Sequence, residues 1–316
     1  MDNKIIDLCN STIENYKFVK EELRYDGEYI NHFASLIYAN LGKTIPINKI
    51  KKIRSYIKEQ TSRMSCFRGD ILYILSFLIS MEDNIENFIE DIIKTYDLLL
   101  DTGFKESQYL VLTSYSLVKH SSTENRFSKV MDMKEVYDTI KRKYYNLTND
   151  EDYLECALLV LSDIEKDEIS SKIDSVFESI SKLDIFSKNG VQGLTMSLVL
   201  SQNDNQLCKI DELLLKFEED DMKISHQFLP VLGASVSLCD SEVYMNEVNE
   251  IIKYLREEEY IYDFYMDKSF LIFIAITINE FSKVNNKERY LNELISLSVY
   301  SFLVSKNQGV FSEVLA

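Results

Sequence analysis

The sequence predicts an all-α protein of stacked antiparallel helix pairs, coiled into an open superhelix (solenoid), with a closed α/α toroid as the alternative. Three observations predict it. Apolar residues recur at i, i+3, i+4 and i+7 almost everywhere, the period of a helix rather than of a strand. Six apolar runs return at a near-constant interval: with Ile79, Val118, Leu161, Leu200, Leu238 and Ile278 as anchors, the steps are 39, 43, 39, 38 and 40 residues. The punctuation that sheets require is scarce, with two prolines and eight glycines in 316 residues and no alternating runs beside the single Asp26-Gly27 pair.

Taken in order, residues 1–43 read as two helices broken at Tyr25-Asp26-Gly27. Cys9, Ile13 and Tyr16 mark the face of the first, Ile30, Phe33, Ile37 and Leu41 that of the second, and the pair is expected as an N-terminal cap. From Pro46 to residue 280 about six two-helix repeats follow, of the HEAT or armadillo length class but without their consensus residues. Each has an amphipathic helix and then a more uniformly apolar one. The clearest amphipathic stripe is Ile85, Phe88, Ile89, Ile92, Ile93, Tyr96, Leu99 and Leu100, with Asp83 and Glu86 expected to cap it. Comparable stripes lie at 130–140, 169–183, 207–217 and 244–255. The apolar helices are expected near 69–80, 107–119, 150–162, 190–201, 226–239 and 267–280, and must be covered on every side. Thr148 followed by Glu151 reads as a capping box for the third of these, and Asp150, Glu151 and Asp152 meet the positive end of its dipole. A C-terminal helix over 287–304 closes a single repeat domain spanning 1–316.

Charge bounds the partners. With 35 basic and 52 acidic residues the formal net charge is −17, which opposes nucleic acid and anionic membranes and favours a basic or peptide-like protein partner. The most basic stretch, Lys49, Lys51, Lys52, Arg54 and Lys58, reads as a solvated helix face. Five cysteines (Cys9, Cys66, Cys156, Cys208, Cys239) are odd in number, scattered and never in a Cys-x-x-Cys spacing, so a reducing, cytoplasmic setting is expected and no zinc or redox pair. No apolar run reaches the ~18 residues of a membrane span. No cofactor or metal motif is present, and the oligomeric state is not legible.

Candidate site residues follow from position. Arg68, in Ser65-Cys66-Phe67-Arg68-Gly69 at the start of an apolar helix, would need a carboxylate partner or a bound anion if buried. Asp150 and Asp152 are helix-capping acids, either of which could serve as the acid/base of an enzyme, while Gln192 beside Gly190 could cap or read a ligand. His32, His120 and His226 are separated from one another, and no catalytic triad, metalloprotease or phosphate-loop motif occurs. Glu218, Glu219 and Asp220 close one amphipathic helix and Glu257, Glu258 and Glu259 close another, with Asp184 in a similar place a repeat earlier. Stacking is expected to align these carboxylates into an acidic, partner-binding rim.

These residues together resemble an uncharacterised bacterial family, domain of unknown function number 4003. The resemblance rests on Ser65 to Gly69, Gly103-Phe104 with Ser107, Tyr109 and Leu110, Leu147-Thr148 with Asp150 and Asp152, Asn189 with Gln192 and Leu194, and Leu232-Gly233. It covers roughly residues 10–260. Where family members tend to carry Leu-Ser-His, this chain reads Leu194-Thr195-Met196, so no role of that His transfers. The resemblance supplies no activity, but implies that Arg68, Asp150, Asp152 and Gln192 share one end of the array. The expected function is therefore a non-catalytic interaction or scaffold protein, using a concave groove or the acidic rim. The alternative is an enzyme or small-anion-binding protein with a pocket built around Arg68 and Asp150 or Asp152.

Overall fold

A computed structural model describes residues 1–182, 188–201, 207–235, 240–283 and 290–315. Among these residues the protein is all-α, without a strand. The helices are Asn3–Glu22 (α1), Glu28–Asn40 (α2), Ile47–Gln60 (α3), Asp70–Ile79 (α4), Ile85–Asp101 (α5), Gln108–His120 (α6) and Thr123–Lys143 (α7). Tyr153–Leu161 (α8) follows a single 3-10 turn at Asp150–Asp152. Then come Lys166–Ile180 (α9), Lys188–Ser201 (α10), Leu207–Glu219 (α11) and Leu229–Ser235 (α12), the last entered through a 3-10 turn at His226–Phe228. Ser241–Glu258 (α13), Ile261–Phe264 (α14), Lys268–Lys283 (α15) and Leu291–Leu315 (α16) complete the chain. The C-terminal helix, expected over 287–304, thus continues to 315. The anchor Leu238, together with Asp184 and Cys239, lies outside the described residues, as do the side chains of Asn189 and Cys208.

The chain divides into two compact units, one of residues 1–45 with 176–302 and one of residues 46–175 with 303–316. In the second unit the amphipathic helices α3, α5 and α7 touch in succession, and the apolar helices α4, α6 and α8 do the same beside them. Burial follows this division. Only Ile89, Ile92, Thr95, Tyr96 and Leu99 of α5 are buried, whereas α6 is buried continuously from Tyr109 to Val118 and α8 from Tyr153 to Leu161. Five or six large side chains per apolar helix contribute on the order of 10 kcal/mol gross. Two caps differ from the expected ones. Asn149 rather than Thr148 opens the turn before α8, accepting from the Glu151 amide at 2.8 Å while its own amide donates to Asp152 Oδ2 at 2.7 Å. Thr148 instead donates to the Tyr144 carbonyl. Helix α5 starts after Asn84, without a side-chain cap. Arg54 also leaves the solvated face expected for it: it is buried, donates to Ser76 Oγ at 2.9 Å and lies over the Tyr73 ring.

In the first unit, α11 and α13 run side by side. Ser241 donates to Glu212 at 2.5 Å, Lys216 pairs with Glu242 at 3.4 Å, and Asn249 donates to Asp220 at 3.4 Å. Helix α12 lies against α10 at Gly233, where a Cβ would meet the Leu194 carbonyl oxygen at 3.1 Å and collide with Ser197 Oγ. The N-terminal pair is not a free-standing cap. Helix α1 packs on α13 and α15 and α2 on α15, and α2 is buried continuously from Ile30 to Ala39. Lys17–Glu259 at 2.7 Å and a Tyr254–Asn10 hydrogen bond at 2.9 Å hold the arrangement. The first half of α16 is buried as well: the Phe302 ring lies 4.9–5.5 Å from those of Tyr29, Phe228 and Phe270.

Candidate functional site

In the second unit, the starts of α4, α6 and α8 are tied together. Arg68 spends its donors on the C-terminal end of α3: Nη1 donates to Thr61 Oγ1 at 2.6 Å, and Nη2 to the carbonyls of Thr61 at 2.8 Å and Lys58 at 3.0 Å. The guanidinium thus caps carbonyls that the helix leaves unsatisfied, and its charge faces the negative end of the dipole. The Arg68 carbonyl accepts from Gln108 Nε2 at 2.7 Å, and the neighbouring Tyr109 hydroxyl donates to Glu151 at 3.1 Å. Arg68 and the 150–152 turn therefore share one end of this unit. Gln192 belongs to the other unit, where it is buried on α10.

The acids beside this network have structural duties. Asp152 is buried and its Oδ2 accepts the Asn149 amide. Glu155, in the first turn of α8, was not singled out in the sequence, although it is an acid that opens an apolar run. It is 5% exposed, its Oε1 has no hydrogen-bond partner, and burial together with Asp152 and Glu151 pushes its carboxyl well above the usual range. Burial and the two neighbouring like charges both favour the protonated form of that carboxyl. Burial likewise raises the Cys66 thiol next to Tyr96, which keeps it a poor nucleophile. Among the described residues, no group of three or more His, Cys, Asp or Glu side chains is arranged to hold a metal. His32 sits in the core of the first unit, stacked on Tyr16 with ring centroids 3.7 Å apart, and burial lowers its pKa to about 3.

Of the acids expected to form a rim on the first unit, Glu218, Glu219, Asp220, Glu257 and Glu258 are exposed and Glu259 is half-buried. Glu218 and Glu219 occupy the last turn of α11, and Glu257 and Glu258 that of α13, so all four oppose the helix dipole. Among the described residues no cation is paired with Glu218, Glu219 or Glu258. Glu257 has Lys253 at 3.9 Å, and Glu259 is bound to Lys17. The two ends are staggered rather than level. Asp220 meets Asn249, nine residues before Glu258, which at the helical rise is about 13 Å. Beside Asp220 is a groove of about 640 Å³ whose charged lining is balanced, with Asp220, Asp221 and Asp267 facing Lys223, Arg256 and Lys268. Just beyond Glu259 stand three exposed rings that the sequence reading passed over: Tyr260, Phe264 and Tyr265 are 64%, 76% and 71% exposed. A four-residue helix leaves too short a stripe for periodicity to detect.

Among the described residues no helix is long and apolar enough to cross a membrane. Residues 15–308 match the family model described as a protein of unknown function, DUF4003. No curated protein and no solved structure matches the chain.

Proposed function

Because the chain belongs to the DUF4003 family of proteins of unknown function, we propose its role from its own geometry: a non-catalytic interaction protein that captures a basic partner on the acidic surface of the first unit. One observation carries this reading. Glu218, Glu219 and Glu258 are exposed, stand at the negative ends of their helices and have no ion-pair partner among the described residues. Each placement costs a few tenths of a kcal/mol, roughly 0.3 or more, in the free protein. A cationic partner would relieve that cost. The helix-pair repeat supplies the scaffold. A reducing, cytoplasmic setting is part of the proposal, supported by the free thiols of Cys9, Cys66 and Cys156. Arg68 supports the anion-binding alternative less, because both Nη1 and Nη2 are engaged by the end of α3.

Affinity capture with wild-type, Glu219→Gln/Glu258→Gln and Arg68→Ala proteins tests the reading. The double variant should lose basic partners and the salt sensitivity of their capture, while Arg68→Ala should lower stability and leave capture intact. Equal recovery of basic proteins by the wild type and the double variant would overturn it.

A further inference from the structure

Carboxylates alone attract any cation, but the surface next to Glu258 also carries aromatic faces. Tyr260 and Phe264 are spaced i, i+4 across α14, with the Phe264 amide donating to the Tyr260 carbonyl at 3.3 Å, so they share a side of that turn. The rings of Tyr260 and Tyr265 stand edge to face, 6.0 Å between centroids and 83° between planes. All three rings are mostly exposed, an arrangement that costs solubility and marks contact surfaces. Carboxylates border them: Glu257 and Glu258 at the end of α13 and Asp263 within α14, the last 4.0 Å from Arg256. The core does not need these rings, because the inward side of the same turn is filled by Ile261 and Tyr262.

We propose that this ledge, at the edge of the acidic surface and resting on the function proposed for it, recognises an arginine side chain of an extended segment in the basic partner. The chemistry selects that group. A guanidinium is planar, is weakly hydrated for a cation, and can stack on a ring face while its edge bonds a carboxylate in two places. An ammonium has the charge without the plane, and an amide lacks the charge. The ledge offers two complementary surfaces, ring faces from Tyr260, Phe264 and Tyr265 and a carboxylate edge from Glu258.

The test uses the full chain and three labelled peptides of equal length, identical except that their repeated cation is arginine, lysine or the neutral isostere citrulline. Wild-type protein should bind the arginine peptide roughly threefold tighter than the lysine peptide, the size of an exposed cation–π preference, and should not bind the citrulline peptide. The Tyr260→Ala/Phe264→Ala/Tyr265→Ala variant should bind arginine and lysine peptides equally, with the salt dependence retained. Because these side chains are mostly exposed, the variant should keep wild-type helicity, and Phe264→Leu alone should be intermediate in preference. Equal affinity of the wild type for arginine and lysine, or a preference that survives loss of the rings, overturns this inference and leaves the acidic surface standing. Failure to bind either cationic peptide overturns both.

Discussion

Asp221 is the one described residue other than glycine with a positive φ, at 52°. It terminates α11: its amide donates to the Glu218 carbonyl at 3.1 Å and that of Met222 to Phe217 at 2.8 Å, the paired bonds of a left-handed helix stop. A side chain there is strained, so Asp221→Gly should stabilise the protein by about 0.5–1 kcal/mol, read as a higher urea midpoint. His32 makes a prediction with pH. Its Nδ1 lies 2.9 Å from the Glu28 carbonyl oxygen, which can only accept, so the proton is on Nδ1 and the ring is neutral. The folded pKa of about 3 is below the ordinary value of 6.5. The stability this group contributes is therefore complete above about pH 6.5 and is lost as pH falls towards 3, at up to about 1.4 kcal/mol per pH unit. His32→Phe keeps a ring on Tyr16 and should show a flatter urea midpoint between pH 7 and 4. Glu155 has the opposite sign: its folded pKa is raised, so its contribution is complete below the ordinary carboxylate range and is lost as pH rises through the raised value. Glu155→Gln should then raise the urea midpoint at pH 7 and lose that advantage near pH 4.

At the scale of elements, Gly233 is where α12 meets α10 most closely, and Gly233→Ala forces the backbones of these helices apart. A loss of about 1–3 kcal/mol is expected, measured by thermal unfolding. The apolar helices were the most legible parts of the sequence, because a run such as Leu158-Leu159-Val160-Leu161 has no side that water could face. Start signals were less decisive. Thr148 and Asn149 both precede an acid by three residues, and only the path of the chain after Tyr144 decides that Asn149 opens the turn. Periodicity located the buried stripe of α2 as far as Ile37, but a stripe shows that a surface is covered and not by what. The contact of α1 and α2 with α13 and α15 was therefore not legible. Arg68 is legible as a charge at a helix start, but its partners are the Thr61 hydroxyl and two main-chain carbonyls at the end of α3, which no residue pattern encodes.

At the scale of the molecule, the surplus of acids becomes specific only through position. Glu259 and Asp263 are matched by Lys17 and Arg256, while among the described residues Glu218, Glu219 and Glu258 have no such match. Neutralising those three should change salt-dependent binding far more than neutralising three paired acids, which isothermal titration at two ionic strengths would show. The joining of α1 and α2 to α13 and α15 also governs how the protein comes into being. Some two hundred residues separate these partners, so a chain emerging from the ribosome holds α1 and α2 against each other, with the sides that meet α13 and α15 uncovered until those helices have been made. Closure of such a distant pairing is slow. During that interval the newborn protein offers an oily segment to chaperones, and its yield in a cell should depend on them more than its finished stability would imply.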